Sequence, residues 1–202
     1  MASLHGIDRA ERLGLIDSAL SDAIATFEIA EASKLFQTKF KTGRLFAVLQ
    51  NPVKRAVTDF ITERAFNADV QNMRLYQYAQ SIYVRENIVV KEIANVTGAV
   101  SSEDVLTAKA MLENYVIVGL WDRLEESMNR FYGYFGWMKE GEWQTCQSNF
   151  LAVLNYQAHG EEFANDSDEY ETLADRNWAD MELYKFALEL FSRQAALSAS
   201  ST

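Results

Sequence analysis

One proline, Pro52, and nine glycines are spread over 202 residues, and this scarcity constrains the fold more than any other feature. Proline removes a backbone donor and clashes inside a helix, and glycine there costs about 1 kcal/mol relative to alanine. A chain with so few of either is free to form long helices, and mostly helix is the expectation. The length corresponds to one domain around one core. No repeat, low-complexity linker or shift of composition marks a boundary, so residues 1–202 read as a single domain. Hydrophobic residues at 49% and charged residues at 24% are a globular balance and exclude a disordered chain.

Nineteen Lys and Arg stand against 29 Asp and Glu, a formal charge of −10. Such a chain repels a polyphosphate backbone, which excludes nucleic-acid binding as the main function. An anionic small molecule needs only a local cluster of donors and stays open. Cys146 is the one cysteine and His5 and His159 the two histidines, so there is no zinc-like spacing and no metal is expected. Apolar runs such as Tyr115 to Trp121 fall far short of the ~20 residues that cross a bilayer. The N-terminus lacks a basic-then-apolar leader pattern, and a soluble chain without a membrane segment is expected.

From Asp8 to about Phe36, Leu13, Ile16, Leu20, Ile24, Phe27 and Ala30 recur at three and four residues, the spacing of one helical face, with Gly14 a point of possible breakage. Leu45-Phe46-Ala47-Val48-Leu49 is a short apolar run without polar interruption, as in a strand buried on both faces. Asn51-Pro52 follows, a good N-cap and a proline in the first turn, which predicts a helix from Val53 to about Phe66. A helical segment is expected over about Leu75 to Val84, and Asn95 to Gly98 break the pattern. Ser101 with Asp104 three residues on predicts a helix from about Ser102 to Asn114. Tyr115 to Leu120 reads as a second strand and Asp122 to Phe135 as the helix after it. Leu183, Phe186, Ala187, Leu190 and Phe191 define a last amphipathic helix, and residues 195–202 should fray.

Chemistry concentrates in LQNPVKRAVT, Leu49 to Thr58. A buried strand ends at a helix N-terminus, where backbone N–H groups and the helix dipole favour an anion, and Gln50, Arg55 and Thr58 are candidate side-chain donors. The plainer reading makes Asn51-Pro52 an ordinary cap and Arg55 a solvated residue. Tyr83, Arg85 and Asn87 are candidates for a neighbouring pocket or for a polar helix end. Glu125 with Glu126 and Glu161 with Glu162 are adjacent pairs that do not face each other and read as solvated. His159 reads as a helix C-terminal residue before Gly160. Asn95-Val96-Thr97 and Asn165-Asp166-Ser167 are sequons that matter only on the secretory route.

LQNPVKRAVTDF resembles the Leu-Arg-Asp-Pro-Val-x-Arg-x-x-Ser-x-Phe pattern of carbohydrate sulfotransferases of the heparan-sulfate 2-O type. LENYVIVGLWDRLEESMNRFYGYFGW is similar to the family's strand, Val-Gly-Leu-x-Glu-Arg-x-x-Glu-Ser, helix, Gly-Trp segment. DMELYKFALELF resembles its terminal Asp-x-x-Leu-Tyr-x-x-Ala-x-x-x-Phe helix. The three keep the family's order from about Leu45 to Gln194. The resemblance implies an α/β, P-loop-type fold with a small parallel sheet and many helices, here its C-terminal portion and therefore an incomplete domain. It implies transfer of a sulfuryl group from 3′-phosphoadenosine 5′-phosphosulfate to a carbohydrate hydroxyl, without a metal, and residence in the Golgi for a longer, anchored chain. Gln50, Arg55 and Thr58 would be the cofactor-binding positions at the donor's 3′-phosphate.

The departures are specific. Gln50 stands where the family has a phosphate-binding Arg, and loss of that charge and bidentate fork costs on the order of 1.5–3 kcal/mol. Thr58 keeps the hydroxyl of the family's Ser, and Asp122 replaces a Glu in what reads as a structural role. The family's Lys-x-Gly-Thr-Thr loop for the 5′-phosphosulfate has no counterpart after a strand. Lys41-Thr42-Gly43 precedes the strand and reads as a turn. The catalytic base is unassigned, since His5 is the only upstream histidine and its N-terminal position suits a mobile surface residue. The alternative expectation is a catalytically inactive helical binding or interaction protein derived from such an enzyme.

Overall fold

Leu45–Leu49 and Val116–Leu120 form strands β1 and β2, and they pair in parallel with Leu45 opposite Val116 and Leu49 opposite Leu120. The computed structural model describes residues 4–18, 24, 26, 32, 34, 35, 45–136 and 167–196. Its helices are α1 (Leu4–Arg12), α2 (Pro52–Phe66), α3 (Leu75–Ala79), α4 (Ile88–Ala94), α5 (Ser102–Tyr115), α6 (Leu124–Phe135), α7 (Asp168–Arg176) and α8 (Trp178–Arg193). The described residues are thus mostly helical, eight helices with a two-stranded parallel sheet. Parallel strands require a long crossover, and α2 to α5 supply it.

Strand β2 is buried along its whole length, as expected for a parallel strand, whereas β1, read as buried on both faces, is covered only in part, with Phe46 40% exposed. On one face Leu49, Val118 and Leu120 join Val90 of α4, Val105, Ala108 and Leu112 of α5, and Leu183, Ala187, Leu190 and Phe191 of α8 in one buried cluster. On the other face α6 lies directly on Gly119. A Cβ at that position would stand 2.6 Å from Phe131 Cζ, so the close approach of α6 depends on glycine. The Phe46 ring packs 4.9 Å from Phe131 and 5.5 Å from Phe135. A second cluster joins α2, α3 and α7 through Val53, Val57, Phe60, Tyr78 and Leu173.

The caps are those expected. Asn51 Oδ1 accepts from the Val53 and Lys54 amides. Ser101 and Asp104 form a reciprocal capping box, and the bonds from Ser101 hold the Asp104 carboxyl below its ordinary value. Other boundaries differ from the sequence reading. Helix α1 starts at Leu4 and ends at Arg12, with Gly14 in left-handed backbone at φ 61°; the continuation to Phe36 lies largely outside the described residues. The segment read as helix from Leu75 to Val84 stops at Ala79, where the Ser81 hydroxyl bonds back to the Tyr78 carbonyl and receives the Tyr83 amide. An unanticipated helix, α4, follows, bounded by Asn87 and Asn95, both at positive φ. Trp121–Arg123 is a 3₁₀ turn before α6.

The residue after α8 is tied to the sheet. Ala195 and Ala196 belong to a 3₁₀ turn, and Gln194, 7% exposed, is fixed by its side chain. Its Oε1 accepts from the Val118 amide at 2.9 Å and its Nε2 donates to the Val116 carbonyl at 2.8 Å. Residues 197–202, Lys41-Thr42-Gly43, Cys146, His159, Glu161, Glu162 and, of the second sequon, Asn165 and Asp166 lie outside the described residues.

Candidate functional site

The register that sets Leu49 beside Leu120 also sets the two strand exits side by side. In open parallel sheets ligands bind outside these carboxyl ends. From β1 the chain passes through half-buried Gln50 and Asn51 into α2. From β2 it passes through Trp121 and Asp122. Lys54, in the first turn of α2, donates to Asp122 Oδ1 at 2.8 Å. The other carboxylate oxygen accepts from the Tyr184 hydroxyl of α8 at 3.3 Å. Burial, with the charge of Asp122 beside it, pushes that hydroxyl up to about 12, so Tyr184 is a donor throughout the neutral range. The edge therefore gathers a carboxamide, an ammonium, a carboxylate and a phenol.

The helix N-terminus at this edge is satisfied from within. Pro52 has no N–H, the Val53 and Lys54 amides bond Asn51 Oδ1 at 3.0 and 3.2 Å, and the Arg55 amide bonds the Asn51 carbonyl at 2.9 Å. An anion using those amides would have to displace the Asn51 side chain.

The three sequence-derived positions diverge. Gln50 lies on the edge. Thr58, one turn beyond Lys54 on the same side of α2, is exposed and donates its hydroxyl to the Lys54 carbonyl at 3.0 Å. Arg55 lies about 100° round the helix from Lys54 and points to the α7–α8 junction. Its Nη2 donates to Asn177 Oδ1 at 2.8 Å and to the Arg85 carbonyl at 3.2 Å, and its Nη1 stands 3.4 Å from Asp180 Oδ2. Burial pulls the guanidinium below its usual value against the opposing charges of Asp180 and Asp59.

Around Arg55 two helix ends cap each other. Asp180 accepts from the Val89 and Val90 amides at the start of α4. Asn87 Oδ1 accepts from the Ala179 and Asp180 amides at the start of α8. Asn177 Oδ1 also takes the Asn87 amide at 3.1 Å. Burial raises the Asp180 carboxyl, while these two amides and Arg55 pull it down. Asn87, a sequence candidate for a pocket, is thus a buried cap. Tyr83 donates to Asp69 at 2.8 Å, and Arg85 pairs with Asp59. Arg85 also lines an open cleft of about 410 Å³ with Ile82, Val84, Glu86, Ile88, Lys91 and Arg176.

The chain matches no protein-family model, no curated protein and no solved structure. Among the described residues no group of three or more His, Cys, Asp or Glu could hold a metal ion. No described helix is long and apolar enough to cross a membrane. His5 is exposed on α1. Glu125 and Glu126 are also exposed, and Glu126 pairs with Arg123 and Arg130. Sequence reasoning missed Lys54 and Tyr184. The available signal was positional: Lys54 lies in the first turn after one strand, and Asp122 two residues past the other.

Proposed function

We propose that the carboxyl edge of the β1–β2 sheet is a half-site for the 3′-phosphate of 3′-phosphoadenosine 5′-phosphosulfate, as the resemblance to carbohydrate sulfotransferases implies. In that role the chain contributes donor binding to sulfuryl transfer. A carbohydrate hydroxyl attacks sulfur, the bond from sulfur to the donor's 5′-phosphate breaks, and 3′-phosphoadenosine 5′-phosphate leaves. The phosphosulfate loop and the proton-accepting base belong to residues other than those of the half-site. One observation carries this reading: the parallel, in-register pairing of β1 with β2 brings two of the three resembling segments to one edge, and the third, α8, supplies Tyr184 to it. Gln50, Lys54 and Thr58 are the donors on that side of α2.

Calorimetric titration with 3′-phosphoadenosine 5′-phosphate tests the reading. Weak binding is expected, and Gln50→Arg should tighten it about tenfold or more by restoring a charge-assisted contact. No gain from that substitution sinks the half-site. The second reading, a catalytically inactive helical interaction protein, has its own support. Asn51 already occupies the first-turn amides, and Arg55 is engaged by Asn177 and Asp180. Absence of binding to both proteins, with intact folds, would favour it.

A further inference from the structure

We propose that Asp122 is a built-in competitor for this half-site, seated on the Lys54 ammonium that an incoming phosphate needs, so that nucleotide binding requires the Lys54–Asp122 pair to open. The inference rests on the half-site reading above and adds its regulation. With Gln50 neutral and Arg55 turned to the α7–α8 junction, Lys54 is the cation that α2 presents to the strand ends. Its ammonium is held by Asp122 Oδ1 at 2.8 Å.

The carboxylate is aimed by a second bond. Tyr184, 9% exposed and packed in the core formed with α8, donates to Asp122 Oδ2, which leaves Oδ1 turned to Lys54. The same pair joins the first turn of α2 to the turn after β2, the two segments between which a phosphate would enter. The pair can open. The Lys54 and Asp122 side chains are 54% and 40% exposed, and ion pairs so exposed hold weakly. The Arg55–Asp180 pair, at 15% and 0% exposure, is by contrast a fixed part of the core. A phosphate dianion carries more charge than a carboxylate and can take Lys54 from Asp122, but with the Asp122 carboxylate beside it the two anions repel.

The test is calorimetry of 3′-phosphoadenosine 5′-phosphate with the full chain and with Asp122→Asn, Lys54→Gln, the double variant and Gln50→Arg. Asparagine keeps an acceptor for Tyr184, and Asp122→Ser serves as a second variant should thermal melting show a disturbed fold. Asp122→Asn is expected to tighten binding about threefold to fivefold, the scale of one half-exposed charge contact. Lys54→Gln is expected to weaken it and to reduce the gain from Asp122→Asn to less than twofold. Tighter binding by Gln50→Arg than by the unaltered chain, with Asp122→Asn no tighter, overturns the competitor and leaves the half-site standing. Binding by none of the folded proteins overturns the half-site reading and the competitor with it.

Discussion

Arg55 meets Asp180 with 15% and 0% of the two side chains exposed, and removing one member of a buried pair leaves the other charge uncompensated. We expect Arg55→Met to lower stability by about 3 kcal/mol in denaturant unfolding, whereas Thr58→Ala, at an exposed hydroxyl bonded only within its own helix turn, should stay within about 0.5 kcal/mol. An equal, small effect of both substitutions would refute the structural role of Arg55. The sequence places both residues on α2, because Asn51 and Pro52 define where the helix begins. It does not say which side each faces in the fold, since the partners of Arg55, Asn177 and Asp180, are more than a hundred positions away. Helical spacing separates Lys54 from Arg55 by a fixed rotation, but only packing decides which of the two meets the core and which the strand ends. The resembling pattern drew attention to Arg55, while the cation on the sheet edge is its neighbour.

At the scale of elements, the features readable in advance are those made by short-range chemistry. Leu45–Leu49 and Val116–Leu120 are strands because short apolar runs suit a sheet covered by helices, fully for Val116–Leu120 and in part for Leu45–Leu49, and α5 begins where Ser101 and Asp104 can exchange bonds. Helix α4 escaped notice because its start depends on Asn87 in left-handed backbone and on Asp180 bonding its first amides from another helix. Gly119 lies between these cases. It sits within the run that reads as the second strand, and it is where α6 approaches β2. Alanine there would force its Cβ against Phe131 Cζ, at 2.6 Å before any adjustment, and Ser127 Cβ at 3.0 Å. Gly119→Ala is expected to cost about 1–3 kcal/mol through overpacking, and Phe131→Leu in the same chain should recover part of that loss in a double-mutant cycle. Additive losses would show that α6 does not rest on this contact.

At the scale of the molecule, the edges of the sheet, two-stranded among the described residues, decide how it is bounded, because an open edge presents unpaired amides and carbonyls to other chains. The outer edge of β2 is closed by side chains. Gln194 pairs both its amide groups with Val118 and Val116, and the Ser127 hydroxyl accepts from the Leu120 amide at 2.8 Å. The Gln194 carboxamide thus substitutes for a neighbouring strand, and its position just past α8 ties the end of that helix to the sheet. The sequence offered no sign of this, since a glutamine before an Ala/Ser-rich tail has no periodic context. Gln194→Ala should leave the Val118 amide and the Val116 carbonyl without partners, costing about 1–3 kcal/mol. It should also produce concentration-dependent association, visible as a rise in scattering mass, because the exposed edge can then pair between copies. Gln194→Glu separates the two effects: it keeps an acceptor for Val118 but sets a carboxylate against the Val116 carbonyl. It should therefore be at least as destabilised as the alanine variant, while its charge opposes association. Unchanged stability and mass in both variants would mean that the edge is closed by other groups and that Gln194 only rests against it.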